Sequence, residues 1–442
     1  MFLHRTIGLP ALLGLFFSGG ILWPGTPCAG APFSGFTNFR QFQEPSQGIK
    51  SDTLIYNILH QYPGLFDSLL SARDELGIQI IYTRIDRSKK GKPVFREHRF
   101  NVDTGRYYYP ASTVKLPVAI LALQRLNELK IGGLDKNTTM ITGSAGGRQT
   151  EVCNDPSSPD GRPTIAHYIK KILLVSDNDA FNRLYEFLGQ EYINNSLQRL
   201  GYRNVQILHR LDISLPEEEN RFTNPVLFMD TGGRVIYEKA AERSQLQYAA
   251  RNTRLGRGYL KDGQRVNEPF DFSKKNRLTL DELNSMVKSI LFPESVPRSM
   301  RFNLSPADYA FIRRYMSMLP SESVSPLYDT ANYQDTYVKF LYYGAEKGAT
   351  QPGLRIFNKP GDAYGFMIDA AYIMDTVNQV EFMLSAVICC NRDGVFNDDQ
   401  YNYEKLGLPF MKNLGRVIYA YERTRVRKHR PDFAQFLFTY RD

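Results

Sequence analysis

The chain has 442 residues, 42% of them hydrophobic and 23% charged, with 55 Lys and Arg against 46 Asp and Glu and a formal net charge of +9. That length suits one large domain or two, with ample core. The mild basicity fits an acidic partner or an anionic cell envelope and excludes a nucleic-acid signature. The four cysteines, Cys28, Cys153, Cys389 and Cys390, are too few for a disulfide framework, although one bridge remains open in an oxidising compartment.

In chain order, residues 1–31 read as a secretory signal peptide. His4 and Arg5 precede an apolar run at 7–17, and small residues follow at Cys28-Ala29-Gly30-Ala31. The run is short for a membrane span, and no later segment is apolar enough for one. The expectation is export to the periplasm or beyond, with lipidation of Cys28 as the lesser alternative. Residues 32–50, rich in Gly, Pro, Ser and Gln, read as a linker.

Apolar residues at helical spacing over 54–76 predict a helix, and 78–85 and 94–102 predict two strands around the polar turn Ser88-Lys89-Lys90-Gly91-Lys92. A helix is expected from about 110 to 129, a loop over 137–163, and helices over 165–174 and 180–187. Residues 226–272 read as an insertion, with hairpin signals at Asp230-Thr231-Gly232-Gly233 and Asp262-Gly263. Helices resume behind the capping box Thr279-Leu280-Asp281-Glu282 and behind Ser305-Pro306. Three strands (354–358, 367–374 and 380–390) and a helix over 405–422 follow. Cys389 and Cys390, adjacent in a strand, read as buried structural thiols.

Strands at both ends with short turns argue for an antiparallel sheet. The expected fold is α/β (α+β): one antiparallel sheet built from both terminal regions, flanked by N- and C-terminal helices, with a mostly helical subdomain inserted. One domain is expected over 51–425, followed by a basic tail at 426–442.

Ser112 and Lys115 open the predicted helix of Pro110-Ala111-Ser112-Thr113-Val114-Lys115-Leu116-Pro117. A serine needs a nearby base to attack, and a lysine one helical turn on can serve if burial or neighbouring charge keeps it neutral. Spacing alone is weak. Ser285-Met286-Val287-Lys288 repeats it inside an amphipathic helix and reads as surface residues. Ser176-Asp177-Asn178 stands between two predicted helices, and Lys359-Pro360-Gly361 ends a predicted strand. Each has a plain alternative, as a capping turn and a strand end.

The three together, in this order, resemble the motifs of class A β-lactamases and the penicillin-recognising serine hydrolases. The resemblance covers roughly 50–225 and 275–425. It implies an acylated Ser112, with Lys115 as base or proton relay. Ser176 would pass a proton to the leaving nitrogen, Asn178 would hold the substrate amide, and Lys359, beside Gly361, would attract the substrate carboxylate. The N–H groups of Ser112 and Asp362 would form the oxyanion hole. Pro360 replaces the family's hydroxyl residue. In Arg210-Leu211-Asp212-Ile213-Ser214-Leu215-Pro216, Leu215 stands where the resemblance places the deacylating glutamate, which leaves Glu217 and Glu218 as candidates or as a solvated acidic loop.

The resemblance further implies a β-lactam or peptidoglycan-like substrate and no cofactor. The six histidines have no metal-ligand spacing, and neither a nucleic-acid partner nor more than a monomer is expected. Three readings stand: a β-lactamase, a penicillin-binding DD-peptidase or other amidase or esterase with slow deacylation, and a non-catalytic cell-wall-binding protein. Tyr107-Tyr108-Tyr109 reads as core or pocket lining, and the basic run 423–430 as a solvated helix end or a contact for anionic polymers.

Overall fold

The two most apolar stretches near the C-terminus become the centre of the sheet. In this computed structural model, which describes residues 52–146 and 150–440, the main sheet runs Leu354–Asn358, Phe366–Asp375, Val380–Cys389, Gln79–Arg87, Pro93–Phe100. Every pairing is antiparallel, and Gly361–Ala363 adds a short strand beside Phe366–Asp375. Residues from opposite ends of the chain meet in register, Gln79 facing Val387 and Ile81 facing Ser385. The signal segment, the linker and Cys28 lie outside the described residues.

Both faces of the sheet are covered, which is why its central strands lack apolar–polar alternation. Ile80, Tyr82 and Leu384 face a layer made by the helices Thr53–His60, Pro63–Ser71 and Leu408–Thr424. Ile81, Met383 and Val387 face the other side, a core shared with the helices Lys115–Leu129, Ile165–Val175, Asn178–Leu188, Leu280–Leu291 and Pro306–Ser317. These helices fall between the Pro93–Phe100 and Leu354–Asn358 strands, as an inserted subdomain.

Several boundaries differ from the sequence reading. The helix expected over 54–76 is two helices, because Pro63 starts a new one at its first turn. The segment 137–163 holds a strand, Thr139–Thr142, that pairs with Val226–Met229, itself paired with Val235–Lys239. Gly258–Lys261 pairs with Val395–Phe396 near the C-terminus. The stretch 226–272 is therefore stitched to its surroundings at both ends, and the inserted region carries small sheets as well as helices. A further helix, Gln190–Arg199, escaped notice because its exposed face is strongly polar.

The 426–442 tail is also corrected. Phe436 is fully buried, with ring centroids 4.9 Å from Tyr372 and 5.3 Å from Phe292, and the Tyr440 and Ser317 hydroxyls lie 2.9 Å apart. The domain therefore runs to Tyr440 at least. Two arginines of the basic run before it are paired, Arg425 meeting Asp86 at 2.5 Å and Arg425 and Arg427 both donating to the buried Glu422, while Arg423, Lys428 and Arg430 are exposed. Tyr108 and Tyr109 are core, and Lys288 of the repeated Ser-Lys spacing is half-buried over the Phe95 ring rather than on the surface.

One buried ion pair anchors the loop over 209–224. Arg210 and Glu186 are almost wholly buried, with Nε 3.0 Å and Nη2 2.5 Å from Glu186 Oε1. Arg210 also donates to the carbonyls of Glu219 and Phe222, while Glu186 Oε2 accepts the Asn224 N–H. Removing one member of such a pair strands a buried charge, a loss of about 3–5 kcal/mol. Arg210→Ala should lower the urea midpoint by an amount of that order, and an unchanged midpoint would show that the loop is held by other contacts.

Candidate active site

Ser112 lies in the 3-10 turn Ala111–Val114 that leads into the Lys115–Leu129 helix. Ala111 has φ 48°, in the left-handed region, so the chain bends sharply just before the serine. Lys115, the first helical residue, is fully buried. Its Nζ donates to Ser112 Oγ at 2.9 Å, to Ser176 Oγ at 3.2 Å, to Asn178 Oδ1 at 2.6 Å and to the Ser176 carbonyl. Burial drives its pKa from the usual lysine value down to about 7, against the weaker opposing pull of Asp177, Asp362 and Asp212.

The Ser176-Asp177-Asn178 segment is a corner between helices as well as part of this cluster. Ser176 closes Ile165–Val175 in a left-handed conformation (φ 61°), with its N–H on the Ile172 carbonyl. The Asp177 carboxylate accepts the Ala180 N–H at 2.7 Å and caps the Asn178–Leu188 helix. The capping geometry is what turns the Ser176 hydroxyl and the Asn178 amide towards Lys115.

Lys359 arrives from the sheet, immediately after the Leu354–Asn358 strand. Its buried Nζ donates to Ser176 Oγ and to the Pro360 carbonyl, both at 2.8 Å. Burial first, and the Lys115 charge second, push its pKa well below the ordinary value. Pro360 thus offers a carbonyl to the lysine where the family pattern has a hydroxyl. Gly361 is required by closeness: a Cβ there would lie 2.6 Å from the Ser112 nitrogen and 2.9 Å from that of Thr113. Asp362 follows, exposed, on the short strand beside the serine turn.

Glu217 and Glu218 do not join this cluster. They open the short helix Glu217–Arg221 on the surface, where Glu217 pairs with Lys274 at 3.0 Å and Arg221 at 3.2 Å, and Glu218 with Arg243. The carboxylate of this loop that Lys115 senses is Asp212. Its neighbour Leu211 is clamped by the Asn182 side chain, which accepts the Leu211 N–H at 2.9 Å and donates to its carbonyl at 3.0 Å. Asn182 lies one helical turn beyond Asn178 on the same face, so the clamp ties the backbone next to Asp212 to the helix that carries Asn178. The sequence signal was the Asp of Arg210-Leu211-Asp212, passed over in favour of glutamates.

Two more buried charges lie behind Lys359. Lys339 Nζ donates to the carbonyls of Met316 and Ile356 and to Asn358 Oδ1 at 2.8–2.9 Å, and Asn358 Nδ2 donates to Asp369 at 2.9 and 3.0 Å. Burial raises the Asp369 pKa to about 6. A lone Asp inside the apolar run Phe366–Asp375 was the available sign; Lys339 had none. Among the described residues no group of His, Cys, Asp and Glu is placed to hold a metal, and Cys153, Cys389 and Cys390 are free thiols.

Gly361→Ala tests the packing of the third motif on the serine turn. The added Cβ meets backbone rather than a movable side chain, so the turn must shift. The variant should stay folded by circular dichroism yet lose most labelling of Ser112 by an active-site-directed acylating reagent. Labelling at the wild-type rate would show that the approach is slack.

Residues 94–267 match a family model described as the β-lactamase enzyme family. No curated protein matches the chain. Among solved structures, a β-lactamase from Sphaerobacter thermophilus is 16% identical, with a TM-score of 0.42 over 81% of this chain and 96% of its own. A class A β-lactamase from Clostridium kluyveri is 13% identical, with a TM-score of 0.44 over 82% of this chain and 98% of its own. A mutant PBP-A in acyl-enzyme complex with penicillin G is 15% identical, with a TM-score of 0.44 over 83% and 96%. The matched segment holds Ser112, Lys115 and the Ser176-Asp177-Asn178 corner, and over it the chain is similar to the β-lactamase enzyme family.

Proposed function

We propose that the chain is an exported serine hydrolase of the class A β-lactamase type, in which Ser112 is acylated by a β-lactam and then released by water. The observation that carries this reading is Lys115: fully buried, 2.9 Å from Ser112 Oγ and poised near neutral pH. Export rests on the 1–31 segment of the sequence, and no helix among the described residues is long and apolar enough to cross a membrane.

In the proposed first step, neutral Lys115 accepts the Ser112 proton as Oγ bonds to the amide carbonyl carbon. The N–H groups of Ser112 and Asp362 receive the developing oxyanion, a contribution of about 3 kcal/mol per donor. The C–N bond breaks as the leaving nitrogen takes a proton through Ser176 Oγ, which lies within reach of both lysines. Asn178 holds the substrate amide and Lys359 attracts its carboxylate. In the second step a water adds to the ester, loses a proton to a base, and Ser112 leaves with its proton restored. Asp212, whose charge reaches Lys115, is proposed as that base in preference to Glu217 and Glu218.

A second reading, a penicillin-binding DD-peptidase or another amidase or esterase, is favoured by two observations. Pro360 brings no hydroxyl to a β-lactam carboxylate, and both glutamates are held in surface ion pairs. Intact-protein mass spectrometry with a penicillin, alongside a turnover assay, separates the readings. A transient adduct with turnover supports the first, and a persistent adduct the second. No adduct and no turnover with any β-lactam removes both for that substrate class, and Ser112→Ala should form no adduct.

Two further outcomes follow. Because the Lys115 pKa is depressed, the proton-accepting form grows as pH rises. The acylation rate should therefore climb through pH about 7 and level off above it. A rate that is flat from pH 5 to 9 would remove Lys115 as the base. Asp212→Asn should acylate at least as fast as wild type, since the Asp212 charge opposes the Lys115 depression, but hold its adduct roughly 10²-fold longer or more. Release at the wild-type rate would exclude Asp212.

A further inference from the structure

Behind the loop that carries Asp212 lies a separate cavity of about 600 Å³, a size typical of small-molecule sites. Its lining includes none of Ser112, Lys115, Ser176, Asn178 or Lys359. One wall is the outer face of the loop, from Ile213 to Glu218; the facing wall comes from the stitched-in region, from Arg243 to Arg251, and Ser273, Lys274 and Lys275 close one side.

The lining is positive and rich in hydrogen-bonding groups. Five cations, Arg221, Arg243, Arg251, Lys274 and Lys275, face two carboxylates, Glu217 and Glu218, an excess of three positive charges. The glutamates are shared among Arg221, Arg243 and Lys274, so they do not neutralise the wall. Arg243 and Lys274 are more than half exposed, within reach of a ligand entering from solvent.

The neutral part of the lining is mixed: four glutamines and three serines stand beside the apolar Leu208, Ile213, Leu215, Ala249 and Ala250. The Oε1 of Gln206 is buried there without a hydrogen-bond partner. A buried amide oxygen without a donor is costly, and this one is shut off from solvent, so a ligand meets only the rest of the Gln206 side chain. The only tyrosine in the lining, Tyr248, already carries the Arg221 guanidinium on its ring at 5.7 Å and donates its hydroxyl to Gln190. Both aromatic rings of the lining are already engaged, His209 stacked on Tyr109 and Tyr248 under Arg221, so the cavity does not suit a nucleobase. We propose that it binds a carboxylated saccharide: hydroxyls for the glutamines and serines, and carboxylates for Arg243 and Lys274.

This inference stands independently of the acyl-serine reading, and its test keeps the two apart. Tri-galacturonate, neutral maltotriose and inorganic phosphate are titrated into the full chain by calorimetry at low salt. Tri-galacturonate should bind at least tenfold more tightly than maltotriose or phosphate. The double variant Arg243→Ala/Lys274→Ala, altered only at exposed positions, should keep its melting temperature and lose tenfold or more in affinity. Gln206→Leu should weaken binding of both sugars, and Ser112→Ala should bind tri-galacturonate as wild type does. No heat with tri-galacturonate, equal binding of maltotriose or phosphate, undiminished binding by the double variant, or loss of binding in Ser112→Ala would each overturn the proposal.

Discussion

Two lysine amines buried around one serine hydroxyl are the constraint on which the site depends. Lys115 and Lys359 both donate to Ser176 Oγ and are both cut off from solvent. Burial in a poorly solvated site disfavours both charged amines, and the Lys115 charge adds to that cost at Lys359, so each gives up its proton readily. That is the property an unactivated serine needs next to it. The depressed Lys115 is therefore a direct result of its burial by the surrounding elements.

Those elements come from distant parts of the chain. Lys115 rides the first turn of its helix, Ser176 a left-handed helix end, and Lys359 the end of a sheet strand from the C-terminal half. Closure of the sheet between Gln79–Arg87 and Val380–Cys389 joins these pieces. Gly361 then lets the third segment lie directly against the serine turn, where a side chain would be blocked by backbone. Behind Lys359, the Asn358–Asp369 contact and the three oxygens around Lys339 hold the strand end by buried polar bonds that pay off only when complete.

What the sequence made legible was what local pattern alone determines. Ser305 before Pro306, Thr279 before Glu282 and the Asp262-Gly263 turn are each decided by a few neighbouring residues, and each structural element stands where it was expected. The main sheet was readable because its strands are long and apolar. Elements defined by remote partners were not. Thr139–Thr142 is four residues in a Gly- and Ser-rich stretch and becomes a strand only because Val226–Met229 lies beside it. Phe433 and Phe436 have no periodicity, so a core segment looked like a tail. The nearness of Ser112, Lys115, Ser176, Asn178 and Lys359 was foreshadowed by motif order. Asp212 and Lys339 were not, since their relevance depends on the Asn182 clamp and on strand ends far along the chain.

The loop over 209–221 is where the two halves of a hydrolytic cycle would part. The first half needs only the lysines, the serines and the backbone donors, which rigid helices and strands hold. The second needs a carboxylate at a loop position, fixed by Asn182 on Leu211 and by Glu186 on Arg210. An aspartate is one methylene shorter than a glutamate, so its reach to a water is less forgiving of loop displacement. The same loop forms a wall of the cationic cavity on its far side. Glu217 and Glu218, held by Arg221, Lys274 and Arg243, tie that far side to the rest of the fold. In the proposed cycle their contribution would be to the surface of the loop, one step removed from the water.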